Sequence, residues 1–535
     1  MKKEYRQVLP PGLSPAIARG IIGLLLIFGL FFCIPGCAQD EGVPPGEPGE
    51  PGEMPLPTAT DMINEPPVNP FLADSPWPMS HRNPYCQASS PYPGPTGDMS
   101  GYRFDYLGGL LVSITLAISG EYPDGRRVLW GSTLTEVVKV GIGEDGFYYI
   151  DRLDKEATNV TLSLTQSGLN SAYTLVDCDG TFFAPRMHKI VAYGDEVEGD
   201  AGSRIVVKRV FGIPGEYLRG EDDFVVGLNI LYDGMLAFVT SKGTVGVVSR
   251  SFDSAHFLQF GEEEEMSNSI ACDEDGGIYV VTGERMYRVQ WTGDKLTTDE
   301  SEGGWVADYE TGEDIAGIRL GKGSGATPSL MGTGEQDKFV VITDGQELMH
   351  IVLLWRDVIP SDWVQIPGTR DRRIAAQVPV TFGDPGATAS SSEQSPCIRG
   401  YGVALVNNQL SVVSENPVVN IMNSQDPDIA PYGAEKFEWD AQARELRSVW
   451  VNEEVSLPNG IPAMSSATNL LYDIGQRAGN WTWEALDWDT GESVGFYEIG
   501  EDTVYNSAWA ATEVGGDGGL YSGCMFGAIG LQPVS

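Results

Sequence analysis

Five polar residues, Asn229, Asn268, Thr327, Ser395 and Asn506, stand at or just before short strand-forming runs and are the leading candidates for a ligand site. If each opens the innermost strand of a repeated sheet unit, all five lie near one mouth of a central channel. Amide and hydroxyl groups converging there suit a metal or a small ligand. Their competing role is to satisfy backbone groups at strand ends. Other chemistry-bearing types are sparse. His81, His188, His256 and His350 are far apart in sequence, and each is expected on the surface or in a loop. Gly141-Ile142-Gly143-Glu144-Asp145-Gly146 matches G-x-G-x-x-G, but Phe147-Tyr148-Tyr149-Ile150 after it reads as strand. A dinucleotide fingerprint opens a helix, so a hairpin turn is expected instead. The zinc-protease and phosphate-loop patterns do not occur. Asp177-Cys178-Asp179-Gly180 and Asp273-Glu274-Asp275-Gly276 lack the ligand spacing of a calcium-binding helix-loop-helix. Asp-Gly also supplies the positive φ of a tight hairpin, so turns are expected at both. No cofactor is implied by these motifs, and calcium is the cation such acidic groups would take. Glu262 to Glu265 reads as a solvated loop.

The elements that must position these residues are strands. From about residue 100, short runs rich in Val, Ile, Tyr, Phe and Thr recur between Gly, Asp and Asn turns. One copy runs Asn268 to Cys272, turns at Asp275-Gly276-Gly277, continues as Ile278-Tyr279-Val280-Val281, and ends in Met286-Tyr287-Arg288-Val289. Leu228 to Val248 and Asn506 to Leu531 have the same form. Looser copies centre on Trp130, Phe183, Val341, Ala404 and Leu471. Equivalent positions recur about every 56 residues on average, the sequence form of a β-propeller whose surplus length sits in loops. Eight blades are expected, with seven as the alternative; open sandwiches and a β-helix are further alternatives, the latter needing shorter rungs.

The chain has 535 residues, 41% hydrophobic and 10% aromatic, enough for a large core. Its 75 acidic against 34 basic residues give a formal charge of -41, which repels phosphate backbones and argues against a nucleic-acid partner. Acidity of this kind keeps an exported protein soluble, and a monomer is expected.

Lys2, Lys3, Arg6 and Arg19 precede an apolar run from Ile21 to Phe32 that ends in Ile34-Pro35-Gly36-Cys37, the order of a signal peptide over residues 1–36. The last four residues resemble a lipobox, which implies diacylglyceryl modification of Cys37. Pro35 departs from the usual small residue there. A plain cleaved signal or a membrane anchor is the alternative, although the run is short for a span. In a Gram-negative host, Ala38 resembles the residue of outer-membrane lipoproteins. Residues 37–70, rich in Pro, Gly and Glu, cannot bury enough apolar area to order themselves and are expected to be a disordered tether ahead of a propeller over 71–535. Loss of the signal and lipidation of Cys37 leave Cys86, Cys178, Cys272, Cys397 and Cys524, so up to two disulfides could form in an oxidising compartment.

Ala485-Leu486-Asp487-Trp488-Asp489-Thr490-Gly491-Glu492 resembles the repeat signature of quinoprotein-type propellers, in which the Asp and Thr-Gly turn between outer strands. Gln394-Ser395-Pro396 and Ala326-Thr327-Pro328-Ser329 are similar to the blade entries of that family, and Ser75-Pro76-Trp77-Pro78-Met79 with Ser90-Pro91-Tyr92 to the segment leading into it. The resemblance implies the scaffold without its cofactor, because the adjacent cysteines of the quinone site and the C-x-x-C-H of haem attachment are absent. The expected function is a lipid-anchored binding propeller at the cell envelope, engaging a protein or glycan. The alternatives are a metal-dependent hydrolase of the lactonase kind and, remotely, a quinone-dependent dehydrogenase. A carboxylate within reach of two of the channel Asn residues would favour the hydrolase, and a plugged channel would count against it.

Overall fold

A computed structural model describes residues 65–97, 99–110, 115–156, 170–313 and 319–534. The signal peptide, Cys37 and the tether up to residue 64 lie outside the described residues.

Eight antiparallel sheets form the blades of a β-propeller. Blade 1 consists of Thr115–Ile118, Val128–Ser132, Glu136–Gly143 and Gly146–Asp154. Blades 2 to 7 follow within 175–212, 225–259, 271–308, 329–379, 397–452 and 463–500. Blade 8 takes Thr512–Val514, Leu520–Cys524 and Gly527–Pro533 from the end of the chain, and its outer strand, Tyr102–Gly108, from the beginning. That antiparallel pairing, from Tyr102 opposite Pro533 to Gly108 opposite Gly527, closes the ring without a free sheet edge between the first and last units.

All eight strand centres read from the sequence fall in the second strand of a blade, from Trp130 in blade 1 to Tyr521 in blade 8. Those strands are apolar on both faces because each blade is covered on both sides. In Met235–Thr240, Ala237 and Val239 pack with Ile278, Val280 and Val289 of blade 4. Leu236 and Phe238 point the other way, onto Phe183, Ile190 and Ala192 of blade 2. The expected turns are present. Gly143 pairs with Gly146 across a hairpin, and Asp273 Oδ1 accepts the N–H groups of Asp275 and Gly277, with Gly276 at φ 82°. Asp487 Oδ1 likewise accepts from Asp489 and Thr490 between the outer strands of blade 7. An insertion between the second and third strands of blade 6 carries the helix Pro417–Asn423, capped by Asn416. Among the described residues no helix is long and apolar enough to cross a membrane.

Several expectations are corrected. Residues 65–70, read as the end of a disordered tether, are packed on the propeller. Glu65 bonds Arg82 and Arg399 at 2.6 and 2.5 Å, and Asn69 Nδ2 donates to Ile230 O and Leu231 O. The five described cysteines are all free thiols, so no disulfide forms among them. Glu264 is buried rather than solvated, accepting from Tyr287 and Thr282. His81, expected on the surface or in a loop, lies in a turn and is buried there.

Charge is buried between blades as well. Lys139, 0% exposed on blade 1, donates to Asp195 of blade 2 and lies 5.5 Å over the Trp130 ring. Removing one member of such a pair strands the other charge and costs about 3–5 kcal/mol. Lys139→Ala is therefore expected to destabilise the propeller by that amount in urea unfolding. Asp195→Asn with Lys139→Met, which removes both charges and keeps volume, is expected to be markedly milder.

Candidate functional site

The central channel is filled by the chain itself. Residues 71–90 run among the innermost strands, and most of residues 76–95 are buried. The inner edge of a blade presents unpaired N–H groups, and this segment brings carbonyls to them. Trp77 O accepts from Ile118 N of blade 1 and Pro78 O from Val176 N of blade 2, each at 2.8 Å. Pro84 O accepts from Cys272 of blade 4, Tyr85 O from Leu330 of blade 5, Gln87 O from Ile398 of blade 6 and Ala88 O from Met464 of blade 7, at 2.7 to 2.9 Å. Ser89–Ser90 adds a parallel strand to blade 7. Blade 3 is met through Asn229, and blade 8 by Pro76, which sits where a Cβ on Gly516 would come within 2.8 Å. Proline suits Pro78 and Pro84, whose carbonyls accept while no N–H needs a partner.

To cross the channel, the segment folds tightly. His81, Arg82, Cys86 and Ala88 all have positive φ, 60°, 71°, 57° and 51°. Four such residues within eight positions store strain, and the surrounding bonds hold it: Ala88 N donates to His81 O, and Cys86 N to Asn83 O.

The five sequence candidates are placed as follows. Thr327 and Ser395 are brought together, Thr327 N donating to Ser395 Oγ at 3.2 Å, and Ser395 Oγ lies 3.4 Å from His81 Nε2. Thr327 Oγ1 bonds the Tyr173 hydroxyl, whose ring lies 5.9 Å from that of His81. Asn268 joins the neighbouring segment through Nδ2 to Ser324 O at 2.8 Å. Asn229 lies against the plug, donating to Pro84 O and Ile270 O. Asn506 is elsewhere, donating to Ile421 O beside the blade 6 helix and accepting from Asn459. The amides of the three Asn residues thus bond backbone carbonyls. Among the described residues, no group of three or more His, Cys, Asp or Glu is placed to hold a metal.

Sequence reasoning missed His81 and Tyr173 because both act through a segment without strand or helix periodicity. The one available signal was the run of Pro, Trp, Tyr and Cys between residues 76 and 95.

Two titratable groups at this mouth respond to pH in opposite directions. Burial pushes the His81 imidazole down to about 4, and its Nδ1 has no partner among the described residues. Burial pushes the Glu393 carboxyl up to about 7, opposed by the N–H of Leu320 at 2.9 Å and by the charge of Arg319. A neutral native histidine loses stability as pH falls from about 6.5 towards 4, by about 3 kcal/mol. A raised carboxyl loses stability as pH rises from about 4.5 to 7. In urea unfolding measured across this range, His81→Asn, which tolerates positive φ, is expected to flatten the acid loss, and Glu393→Gln the loss towards neutrality.

No family model matches the chain. The fold is similar to three solved dehydrogenases. A europium-containing methanol dehydrogenase aligns at a TM-score of 0.53 and 10% identity, covering 85% of this chain and 98% of that one. A quinohemoprotein alcohol dehydrogenase from Pseudomonas putida HK5 aligns at 0.53 and 10%, covering 90% and 83%. A quinohemoprotein alcohol dehydrogenase from Comamonas testosteroni aligns at 0.52 and 12%, covering 86% and 80%. These likenesses establish a quinoprotein-like propeller fold. In sequence, the chain is 48% identical over 478 residues to an uncharacterized protein of Archaeoglobus fulgidus, covering 87% of this chain and 89% of that one. The chain belongs to the same family as that Archaeoglobus fulgidus protein.

Proposed function

We propose that the chain is an exported, lipid-anchored β-propeller that serves as a binding scaffold at the cell envelope, held by Cys37 and engaging a protein or glycan through its loops. The observation that carries this reading is the filled channel. Propellers commonly hold a metal or small ligand at the channel mouth, and here residues 71–90 occupy that space and bond the inner strands. A quinone does not fit the residues present. Trp77, Tyr85 and His81 are buried in the plug, and the described cysteines are separate thiols. The hydrolase alternative needs a carboxylate shared by two channel asparagines, and the partners of Asn229, Asn268 and Asn506 include none. The acidic surface, at a net -41, supports solubility and disfavours nucleic acid.

The test joins anchor and channel. The melting temperature is expected to be the same in calcium and in EDTA, and no lactone is hydrolysed above background. Calcium stabilisation together with a lactonase activity lost in Asn268→Ala would overturn the scaffold reading. Labelling with a radioactive fatty acid is expected in the wild-type chain and not in Cys37→Ala.

A further inference from the structure

A cavity of about 440 Å³ opens between blades 6 and 7, on the face carrying the turns between first and second strands. Pockets that receive small ligands span roughly 300–1,000 Å³, so this one has room for a ligand. Tyr401, in the turn of blade 6, and Asn469, in the turn of blade 7, both line it. Trp439 and Trp488 line it as well, but each is almost wholly buried, which leaves the partly exposed ring of Tyr401 as the aromatic face that a ligand meets. These walls are set before anything binds. Trp439 Nε1 donates to Asp337 Oδ2 at 3.0 Å, and the Tyr401 hydroxyl accepts from Asp337 N at 2.8 Å. Gly402 belongs to the same cradle, because a Cβ there would come within 3.0 Å of the Trp488 ring.

The charged side chains of the lining are matched within the protein. Arg399 pairs with Glu65 at 2.5 Å, and Glu438 with Lys436 at 2.6 Å, Lys436 Nζ also lying 4.7 Å over the Trp488 ring. An ionic ligand finds no lone counter-charge here, and an apolar one would take water from polar groups without replacing its hydrogen bonds. What remains is hydrogen-bonding capacity of both kinds. The Tyr401 hydroxyl, which accepts from Asp337 N, donates to no described residue. Asn469 Nδ2 donates to Asp489 at 3.0 Å, while Asn469 Oδ1 accepts from no described residue. Lys436 takes Oε1 of Glu438, and Oε2 accepts from no described residue. A donor and acceptors placed around one ring match hydroxyl groups, each of which both gives and accepts a bond. A sugar ring adds a C–H face that packs on an aromatic side chain.

We propose that the pocket between blades 6 and 7 binds a short neutral saccharide, with a sugar ring against Tyr401 and hydroxyls bonded to Asn469 and Glu438. The proposal rests on the scaffold reading and narrows its partner to a glycan. The site is separate from the channel, since no residue of the plug enters the lining, so a sugar reaches it with the plug in place.

The experiment is calorimetric titration of the full chain with maltose, cellobiose, lactose, mannobiose and N,N′-diacetylchitobiose. At least one of these is expected to bind with a Kd of about 1 mM or tighter. Tyr401→Ala is expected to weaken that binding about tenfold, and Asn469→Gly about fivefold. Asn469 stands at φ 57°, which glycine adopts without strain, so the second variant is expected to keep the wild-type midpoint in urea and to report on the pocket alone. Binding that is equally strong in both variants places the sugar elsewhere and overturns the proposal. A panel in which no disaccharide binds also overturns it, whether or not a neutral tetrapeptide of serine and glycine binds instead. That result leaves the scaffold reading standing with a protein partner, because the scaffold reading fails through calcium stabilisation and lactone hydrolysis.

Discussion

A ring of blades leaves the inner edge of every innermost strand facing the axis, and buried backbone N–H groups there must find acceptors. Residues 71–90 meet that constraint. Carbonyls of Trp77, Pro78, Pro84, Tyr85, Gln87, Ala88 and Ser90 take N–H groups from six blades, blade 7 contributing two of them, while blade 3 is met by side-chain bonds and blade 8 by packing. The rest of the architecture depends on this arrangement. The plug joins blades that are distant in sequence, from Ile118 to Met464, through one short stretch of chain. It also fixes where the chain enters the ring, because Glu65 is held between Arg82 of the plug and Arg399 of blade 6.

The ring is closed twice by the same end of the chain. Tyr102–Gly108 completes blade 8 from outside, and the residues just before it fill the axis. Opening the ring therefore requires both the outer strand and the plug to detach, which couples the first described residues to the stability of the whole. Strain at His81, Arg82, Cys86 and Ala88 persists because partners on several blades over-determine it. Burying His81 with no partner for Nδ1 among the described residues belongs to the same arrangement.

The blades were legible because each second strand is covered on both faces. Phe238, Tyr279 and Val341 stand in dense apolar runs between Gly and Asp turns, and such runs carry the repeat through irregular spacing. The plug was not legible. Its residues have neither period, its prolines read as a lead-in, and its partners at Ile398 and Met464 lie hundreds of positions away. The candidate site was half legible for the same reason. Thr327 and Ser395 do meet, since both open strands on adjacent blades. The third and fourth members of that cluster, His81 and Tyr173, come from the plug and from the approach to blade 2. Asn506 went to the blade 6 insertion because the helix at Pro417–Asn423, with no long apolar period to announce it, reaches across to it.

The plug is tested most directly by native-state hydrogen exchange at the amides it covers, those of Ile118, Val176, Cys272, Leu330, Ile398 and Met464. If the pairing with residues 71–90 holds the ring, these amides exchange only through global unfolding and share one free energy of opening across six blades. Exchange at the rate of exposed loops, with the second strands still protected, would mean that the channel opens freely and that the blades stand without the plug.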